Sequence, residues 1–195
     1  MKAIETHYRG CRFRSRLEAR WAVFFDTLKV NWEYEKEGFD LDKAGWYLPD
    51  FWVPELEIWV EVKGNSPSDT EKLKAMYLCI HTTKDVFMVG SCDPQGFTAI
   101  FHFVEHHNDD IPPGIHHDGV EVYHTTEGFA FGGNWENNDN WRWAIGRDNK
   151  LCISPYMSSL DEEYPGMGGF NHPLLNKAYQ TSRSVRFEHG EKPRQ

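Results

Sequence analysis

The sequence predicts an α/β fold in which a mixed central β-sheet is flanked by helices. Three observations predict it: an amphipathic helix near the start of the chain, two β-like segments separated by a short turn, and a helix that leads into a buried strand. The second β-like segment, the helix and the buried strand form a unit that places its two strands in parallel. An antiparallel hairpin joined to such a unit gives a mixed sheet.

Length and composition indicate a folded domain. A chain of 195 residues with 39% hydrophobic and 15% aromatic residues has enough apolar surface to bury a core. No run of eighteen apolar residues occurs, and the first residues lack the apolar region of a signal peptide, so we expect no membrane association. The four cysteines lie far apart and form no C-x-x-C pair, which favours reduced thiols over a zinc site or disulfides.

The first half of the chain supplies a helix and a hairpin. Ser15–Leu28 is predicted to be helical because its large apolar residues recur at helical spacing. A short strand at Asn31–Tyr34 follows. Trp46–Val53 and Glu57–Lys63 are then rich in residues that favour strands, and the three residues between them, Pro-Glu-Leu, indicate a hairpin turn.

The next segments complete the parallel unit. Helix formers after a Ser-Pro-Ser-Asp start predict a helix from Asp69 to about Cys79. Asp85–Gly90 is predicted to be a buried strand, and Gln95–Val104 is expected to supply one further edge strand. A last helix is predicted within His172–His189.

We expect three parts: a core at 1–105, an irregular, β-rich insertion of unknown role at 106–170, and a C-terminal helix and tail at 171–195 that pack on the core. Frequent turn residues mark the insertion. Its run GGNWENNDNWRW offers rings that stack on unpaired bases, or that pack into a small core of the insertion itself.

The predicted hairpin gathers charged residues. Successive side chains of a strand point to opposite faces, so Glu61 and Lys63 share one face and the valines flanking Glu61 share the other. With the turn centred on Glu55, Asp50 falls opposite Val60 or Glu61, where facing Cβ atoms are roughly 4.5 to 5.5 Å apart. Two carboxylates then converge beside an ammonium group.

Such a pair of carboxylates repels itself unless a cation joins it, and a hard divalent ion with oxygen ligands, above all Mg²⁺, suits it. A bound Mg²⁺ polarises a phosphoryl oxygen and activates an attacking water. Lys63 would orient that water, help to deprotonate it or stabilise the transition state. The alternative is an exposed cross-strand ion pair that contributes little to stability.

These residues resemble a known signature. Pro49-Asp50 followed after ten residues by Glu61-Val62-Lys63 is similar to the motif of the PD-(D/E)XK, or restriction-endonuclease-like, nuclease superfamily. The segments RSRLEARWAVFFDTL, YLPDFWVPELEIWVEVKG and AYQTSRSVRFEHG resemble small nuclease-like proteins of phages and prokaryotes, and more distantly archaeal Holliday-junction resolvases and a transposon end-cleaving endonuclease. The resemblance covers Tyr8–Gly90 well and the C-terminal helix weakly. It implies a restriction-endonuclease-like fold, dependence on Mg²⁺ or Mn²⁺, and hydrolysis of phosphodiester bonds.

The resemblance also implies a set of site residues. The catalytic residues would be Asp50, Glu61, Lys63 and Glu18, and the metal ligands would be Asp50, Glu61, Glu18 and Val62. Glu18 has a structural alternative, because Ser15-x-x-Glu18 is a capping box at the start of a helix. It shares a helix face with Ala22 and Phe25, beside the apolar stripe, and so leans toward the sheet.

Basic residues on the predicted helices or just before them are candidate contacts to a nucleic-acid backbone. They are Arg12, Arg14, Arg16 and Arg20 at the start of the first helix, and Lys72 and Lys74 on the second. The helix N-terminus favours phosphate, but basic residues on helix surfaces are also often merely solvated. The net charge of −9 argues against a broad basic surface, though not against a nuclease with a local basic patch.

Two functions stay open at this point. The first is a Mg²⁺-dependent endonuclease that cuts DNA in the cytoplasm of a bacterium or a phage-infected host, as a homodimer if both strands are cut. The second is a binding module with the nuclease fold, an inhibitor or adaptor that contacts a protein or nucleic acid, with 106–170 available for a protein partner. The complete set of Asp50, Glu61 and Lys63 favours the first, and the insertion and acidic charge favour the second.

Overall fold

The computed structural model describes residues 4–105, 121–124, 128–132, 141–155 and 169–187. The helices are α1 (Arg16–Leu28), α2 (Asp69–Thr82) and α3 (Pro173–Ser184), with a 3-10 turn at Asp42–Ala44. The strands are β1 (Thr6–Tyr8), β2 (Cys11–Phe13), β3 (Glu33–Tyr34), β4 (Phe39–Asp40), β5 (Trp46–Tyr47), β6 (Phe51–Val53), β7 (Ile58–Val62), β8 (Val86–Val89), β9 (Thr98–Glu105), β10 (Glu121–His124), β11 (Gly128–Gly132), β12 (Trp141–Ile145) and β13 (Leu151–Pro155).

The central sheet has the strand order β10-β11-β9-β8-β7-β6-β3. The strands β7 and β8 are parallel because α2 carries the chain back between them, and the other neighbouring pairs are antiparallel. The predicted α/β class with a mixed central sheet and flanking helices is therefore confirmed. Two-stranded pairs form outside this sheet, namely β1-β2, β4-β5 and β12-β13.

The segment Trp46–Val53 is not the single strand that its composition predicts. It divides into β5, which pairs with β4, and β6, which pairs with β7. Pro49 lies at the division, and proline has no amide hydrogen to donate to a strand ladder. The chain therefore changes partner at Pro49 and enters the hairpin only at Phe51.

The strand β9 is not an edge strand, contrary to the prediction. It lies inside the sheet, with β8 on one side and β11 on the other. The strands β10 and β11 come from the segment assigned to the insertion, and they extend the central sheet beyond β9. Pairing between strands that are distant along the chain leaves no local pattern, which explains the error.

Two apolar layers enclose the sheet. Alternate residues of β7 and β8, including Val60 and Phe87, face α1 and α3. Their neighbours Trp59 and Met88 belong to the layer beneath α2. This alternation is the strand periodicity expected when both faces of a sheet are covered.

Trp143 belongs to the main core. It is 1% exposed, and its ring centroid lies 4.9 Å from that of Phe87 in β8. It therefore neither offers a surface for stacking bases nor lies in a separate core of the insertion. Residues 133–140 of the same aromatic run lie outside the described residues.

Helix ends follow from capping. The Ser15 hydroxyl accepts a hydrogen bond from the Glu18 amide and starts α1, which ends at Lys29 in the left-handed conformation. Ser68 starts α2 through a complete capping box with Glu71, and α2 runs to Thr82, three residues beyond the predicted end. Among the described residues, no helix is both long and apolar enough to cross a membrane.

Candidate active site

The register of the β6–β7 hairpin brings Asp50 and Glu61 together. Phe51 pairs with Val60, so Asp50, which directly precedes β6, lies opposite Glu61 near the end of β7. The Asp50 amide donates a hydrogen bond to Glu61 Oε1 at 3.3 Å. The hairpin thus places the two predicted acids at one point, on the edge of the sheet where the parallel strands end.

The Asp50 carboxylate is held from two sides. Its Oδ2 accepts a hydrogen bond from the Val62 amide at 2.8 Å, and its Oδ1 accepts one from Arg14 Nη2 at 2.7 Å. The Asp50 carbonyl accepts a hydrogen bond from the Glu35 amide at 2.9 Å. The main chain and the side chain of Asp50 are therefore both fixed, and the residue is only 5% exposed.

Glu61 and Lys63 form an ion pair that helix α2 anchors. Glu61 is 1% exposed, and its Oε2 lies 3.2 Å from Lys63 Nζ. The same ammonium group lies 3.5 Å from Glu71 Oε1. Because the other oxygen of Glu71 accepts the Ser68 amide hydrogen in the capping box, the first turn of α2 fixes the partner of Lys63.

Tyr47 on β5 adds a buried hydroxyl group beside Glu61. Burial raises the pKa of Tyr47 well above its usual range, and the charges of Glu61 and Asp50 raise it further. The phenol therefore stays neutral at physiological pH. Within the described part of the chain, its oxygen has no partner that meets hydrogen-bond geometry.

Burial dominates the electrostatics of the acid pair. It raises the pKa of Asp50 well above its usual range, and the negative charges of Glu61 and Glu18 add to this effect. Burial also raises the pKa of Glu61, although Lys63 opposes the shift. For Lys63, burial acts to lower the pKa, but the attraction of Glu61 and Asp50 outweighs it and the pKa is raised.

The charge balance of the site favours a further cation. Within the described part of the chain, the site includes the carboxylates of Glu18, Glu35, Asp50, Glu61 and Glu71, and Arg14 and Lys63 form ion pairs with four of them. Negative charge is therefore in excess, and it adds to the effect of burial on the pKa of Asp50.

Mg²⁺ and Mn²⁺ fit the donor set, because both ions prefer carboxylate oxygens. Among the described residues, no three His, Cys, Asp or Glu side chains gather around one point. Asp50 and Glu61 would supply the carboxylates for the ion, and the Val62 carbonyl and Glu18 stay predicted ligands. Two carboxylates suffice for Mg²⁺, which commonly keeps several of its water ligands.

Glu18 lies in the first turn of α1, with its oxygens bonded to protein groups. Its Oε2 accepts hydrogen bonds from the Tyr34 hydroxyl at 2.6 Å and from the Arg14 amide at 3.0 Å. Its Oε1 accepts one from the Ser15 hydroxyl at 2.6 Å. Glu18 thus has the structural partners of a helix cap, while its charge still acts on Asp50.

The predicted basic residues separate into two groups. Arg14 lies in the site, with Nε 2.8 Å from Glu35 Oε1 and Nη2 on Asp50. Arg12 is exposed and pairs with Glu5, which directly precedes β1. Arg16 and Arg20 are half-buried on α1.

The two lysines of α2 have other surroundings. Lys72 Nζ lies 3.4 Å from Asp69 Oδ1, within the first turn of the helix. Lys74 Nζ lies 5.6 Å from the ring centroid of Tyr47 and donates a hydrogen bond to the Trp46 carbonyl. Lys74 therefore lies over the ring of Tyr47, and Tyr47 in turn lies beside Glu61.

Four residues of the site were not among the predicted ones, namely Tyr34, Glu35, Tyr47 and Glu71. A signal exists for Glu71, because Ser68-x-x-Glu71 is a capping-box pattern that locates it at the start of α2. Tyr47 lies three residues before Asp50, but nothing local shows that its hydroxyl turns toward Glu61. Tyr34 and Glu35 join the site only through contacts with the Arg14 segment.

Compared with family models, curated proteins and solved structures, the chain has no significant match. The geometry of the site is therefore the main evidence for function. It defines a mixed α/β protein with a buried, acidic site at the end of its central hairpin.

Proposed function

We propose that this chain is a metal-dependent endonuclease of the PD-(D/E)XK, restriction-endonuclease-like class that hydrolyses phosphodiester bonds in DNA. One observation carries the proposal: Asp50 and Glu61 meet at 5% and 1% exposure, with Lys63 beside them. Two buried carboxylates in contact are unfavourable without a cation. A solvated surface ion pair, the simpler interpretation of the same residues, does not account for their burial.

The residues have distinct roles in this proposal. Asp50 and Glu61 would hold Mg²⁺ or Mn²⁺, and the Val62 amide keeps the Asp50 carboxylate in place. The bound ion supplies positive charge to the phosphate oxygens and lowers the pKa of the attacking water. Lys63, which lies 3.2 Å from Glu61, would orient the attacking water, help to deprotonate it or stabilise the negative charge of the transition state.

DNA is the proposed substrate because the motif resembles that of enzymes that cut DNA. Cleavage of both strands would require two sites, and a homodimer would supply them through two-fold symmetry. The excess of carboxylates makes the metal ion a precondition for the approach of a phosphate to this site.

A second candidate is a binding module that keeps the fold but does not cleave. The occupancy of the acid pair favours it: the four oxygens of Asp50 and Glu61 contact Arg14, Val62, Lys63 and the Asp50 amide. In such a module, groups of the protein itself would satisfy the two acids, and no metal ion would be needed. It would act as an inhibitor or adaptor, and 106–170 would contact a protein partner.

A nicking assay tests the two functions. Purified protein is incubated with supercoiled plasmid, branched junctions, single-stranded DNA and RNA, in Mg²⁺, Mn²⁺ or EDTA. The Asp50→Asn and Lys63→Ala variants are compared with Asp40→Asn and Lys84→Ala, which change an exposed acid on β4 and a lysine that pairs with Glu57. Metal-dependent nicking that only the first two variants lose supports the nuclease. No cleavage, together with no metal binding by calorimetry, supports the binding module.

A further inference from the structure

Arg14 lies between two acids and links the site to solvent. Its Nη2 is 2.7 Å from Asp50 Oδ1, and its Nε is 2.8 Å from Glu35 Oε1. The Arg14 side chain is 53% exposed, whereas that of Asp50 is 7% exposed. The other donor to the Asp50 carboxylate, the Val62 amide, belongs to the sheet. Arg14 is therefore the partner of Asp50 that can move.

The surroundings of Arg14 hold its main chain and leave its side chain adjustable. Its amide donates hydrogen bonds to Glu18 Oε2 at 3.0 Å and to the Tyr34 hydroxyl oxygen at 3.1 Å. Glu35 is fixed by the bond from its own amide to the Asp50 carbonyl. The guanidinium group can thus leave Asp50 without disturbing either its own main chain or its second carboxylate.

We propose that Arg14 is a counter-ion that competes with the metal ion for Asp50 and that, once displaced, binds the substrate phosphate while Glu35 retains it. This inference rests on the proposed nuclease function. The bond to Oδ1 occupies an oxygen that a metal ion needs, and a divalent cation at the acid pair repels the guanidinium group. Metal entry and release of Arg14 are therefore one event.

Glu35 determines where the released side chain goes. A guanidinium group has five N–H donors in a planar fork, so one that is held through Nε still presents donors to a phosphate. Asp50 and Glu35 both engage this fork in the structure. Arg14 thereby couples phosphate affinity to metal occupancy.

Calorimetric titration with Mn²⁺ and Mg²⁺ tests the competition. Arg14→Met removes the competitor and is expected to bind Mn²⁺ about tenfold more tightly than the unmodified protein, a change equivalent to one charge-assisted hydrogen bond. Glu35→Gln removes the alternative partner of Arg14 and is expected to bind Mn²⁺ more weakly. Arg9→Met is the matched control, because Arg9 is an exposed arginine that pairs with Asp26, and its affinity for Mn²⁺ should be unchanged.

The change expected for Arg14→Met is opposite to the change that partial unfolding would cause. Partial unfolding of a variant weakens metal binding, so it cannot produce the tighter binding expected of Arg14→Met. Circular dichroism and thermal unfolding of all variants check that each is folded.

Fluorescence anisotropy with a labelled DNA duplex tests the coupling, in EDTA and in Ca²⁺, which is also a hard ion with oxygen ligands. The unmodified protein should bind DNA more tightly when Ca²⁺ is added. Arg14→Met should lose most of this gain although it binds the ion better, whereas Arg9→Met should keep it.

The outcomes separate this inference from the proposed function. If metal binds but Arg14→Met binds it as tightly as the unmodified protein, or more weakly, the role of Arg14 is overturned and the nuclease proposal stands. If no variant binds metal, Arg14→Met included, both are overturned.

Discussion

Replacing Asp50 with asparagine is expected to stabilise the metal-free protein and to remove its response to metal. Asparagine has nearly the same shape as aspartate, and its carbonyl oxygen can still accept the Val62 amide hydrogen. The change removes the negative charge, which burial and the proximity of Glu61 and Glu18 make unfavourable, and it replaces Oδ1, the acceptor for Arg14 Nη2, by an amide NH2 group.

The raised pKa of Asp50 determines the sign of the effect. A carboxyl group whose folded pKa exceeds its unfolded value of about 4 binds protons more readily in the native state. Its contribution to stability is therefore present at low pH and is lost as the pH rises toward the folded pKa. A tenfold difference in proton affinity between the folded and unfolded states is equivalent to about 1.4 kcal/mol. A gain of that order at neutral pH would raise the Tm by about 3 to 6 °C in a chain of this length.

Thermal unfolding in EDTA and in saturating Mg²⁺ measures this effect, with Asp40→Asn as the exposed control. Metal at about a hundred times its Kd stabilises the unmodified protein by about 2.7 kcal/mol. It should not stabilise Asp50→Asn, so the order of the two Tm values should reverse between the two conditions. A variant that is less stable than the unmodified protein in EDTA would refute the reasoning, because Arg14 would then fully satisfy an ionised Asp50.

Three further predictions concern pH, an anchor and the core. Metal affinity should rise with pH, because protons compete for Asp50 and Glu61 up to their raised pKa values. Calorimetry across a pH series measures this, and a pH-independent affinity would contradict it. Glu71→Ala should lower the free energy of unfolding in urea by about 1 kcal/mol through loss of the cap. Glu71→Gln can keep the cap but loses the ion pair with Lys63, so nicking should fall several-fold, roughly the effect of one weak ion pair, without loss of stability. Trp143→Ala should cost about 3 to 5 kcal/mol and Trp143→Phe less, as measured by urea unfolding; a loss of DNA affinity at unchanged stability would instead restore the base-stacking interpretation.

Local patterns were sufficient to predict the elements that support the site. Apolar spacing and the Ser15 cap located α1, because an amphipathic helix is defined within a few turns. Turn position and strand alternation placed Asp50 opposite Val60 or Glu61, and the register selects Glu61, because the pairing of a hairpin depends on its turn. The division at Pro49 had a local signal too, since proline interrupts a strand ladder.

Contacts between distant segments had no such signal. Arg14 contacts Asp50, which lies 36 residues later in the sequence. Whether a basic residue at the start of a helix faces solvent or a buried acid depends on how the helix packs on the sheet. The interior position of β9 depends on β11, which follows more than twenty residues later. Trp143 joins the core because the β12–β13 hairpin packs there. The sequence immediately around Trp143 carries no signal of this packing.

Whether the net charge of −9 opposes the binding of nucleic acid depends on how the charge is distributed. Spread over a surface, it would repel nucleic acid, but Asp50 and Glu61 concentrate part of it where a divalent ion is attracted. The positive charge of Arg14 is engaged by Asp50 and Glu35. On the proposed function, the chain therefore binds phosphate only after it binds metal. Dependence of DNA affinity on the metal ion, and not a basic surface, is the property that distinguishes a nuclease of this kind from a binding module.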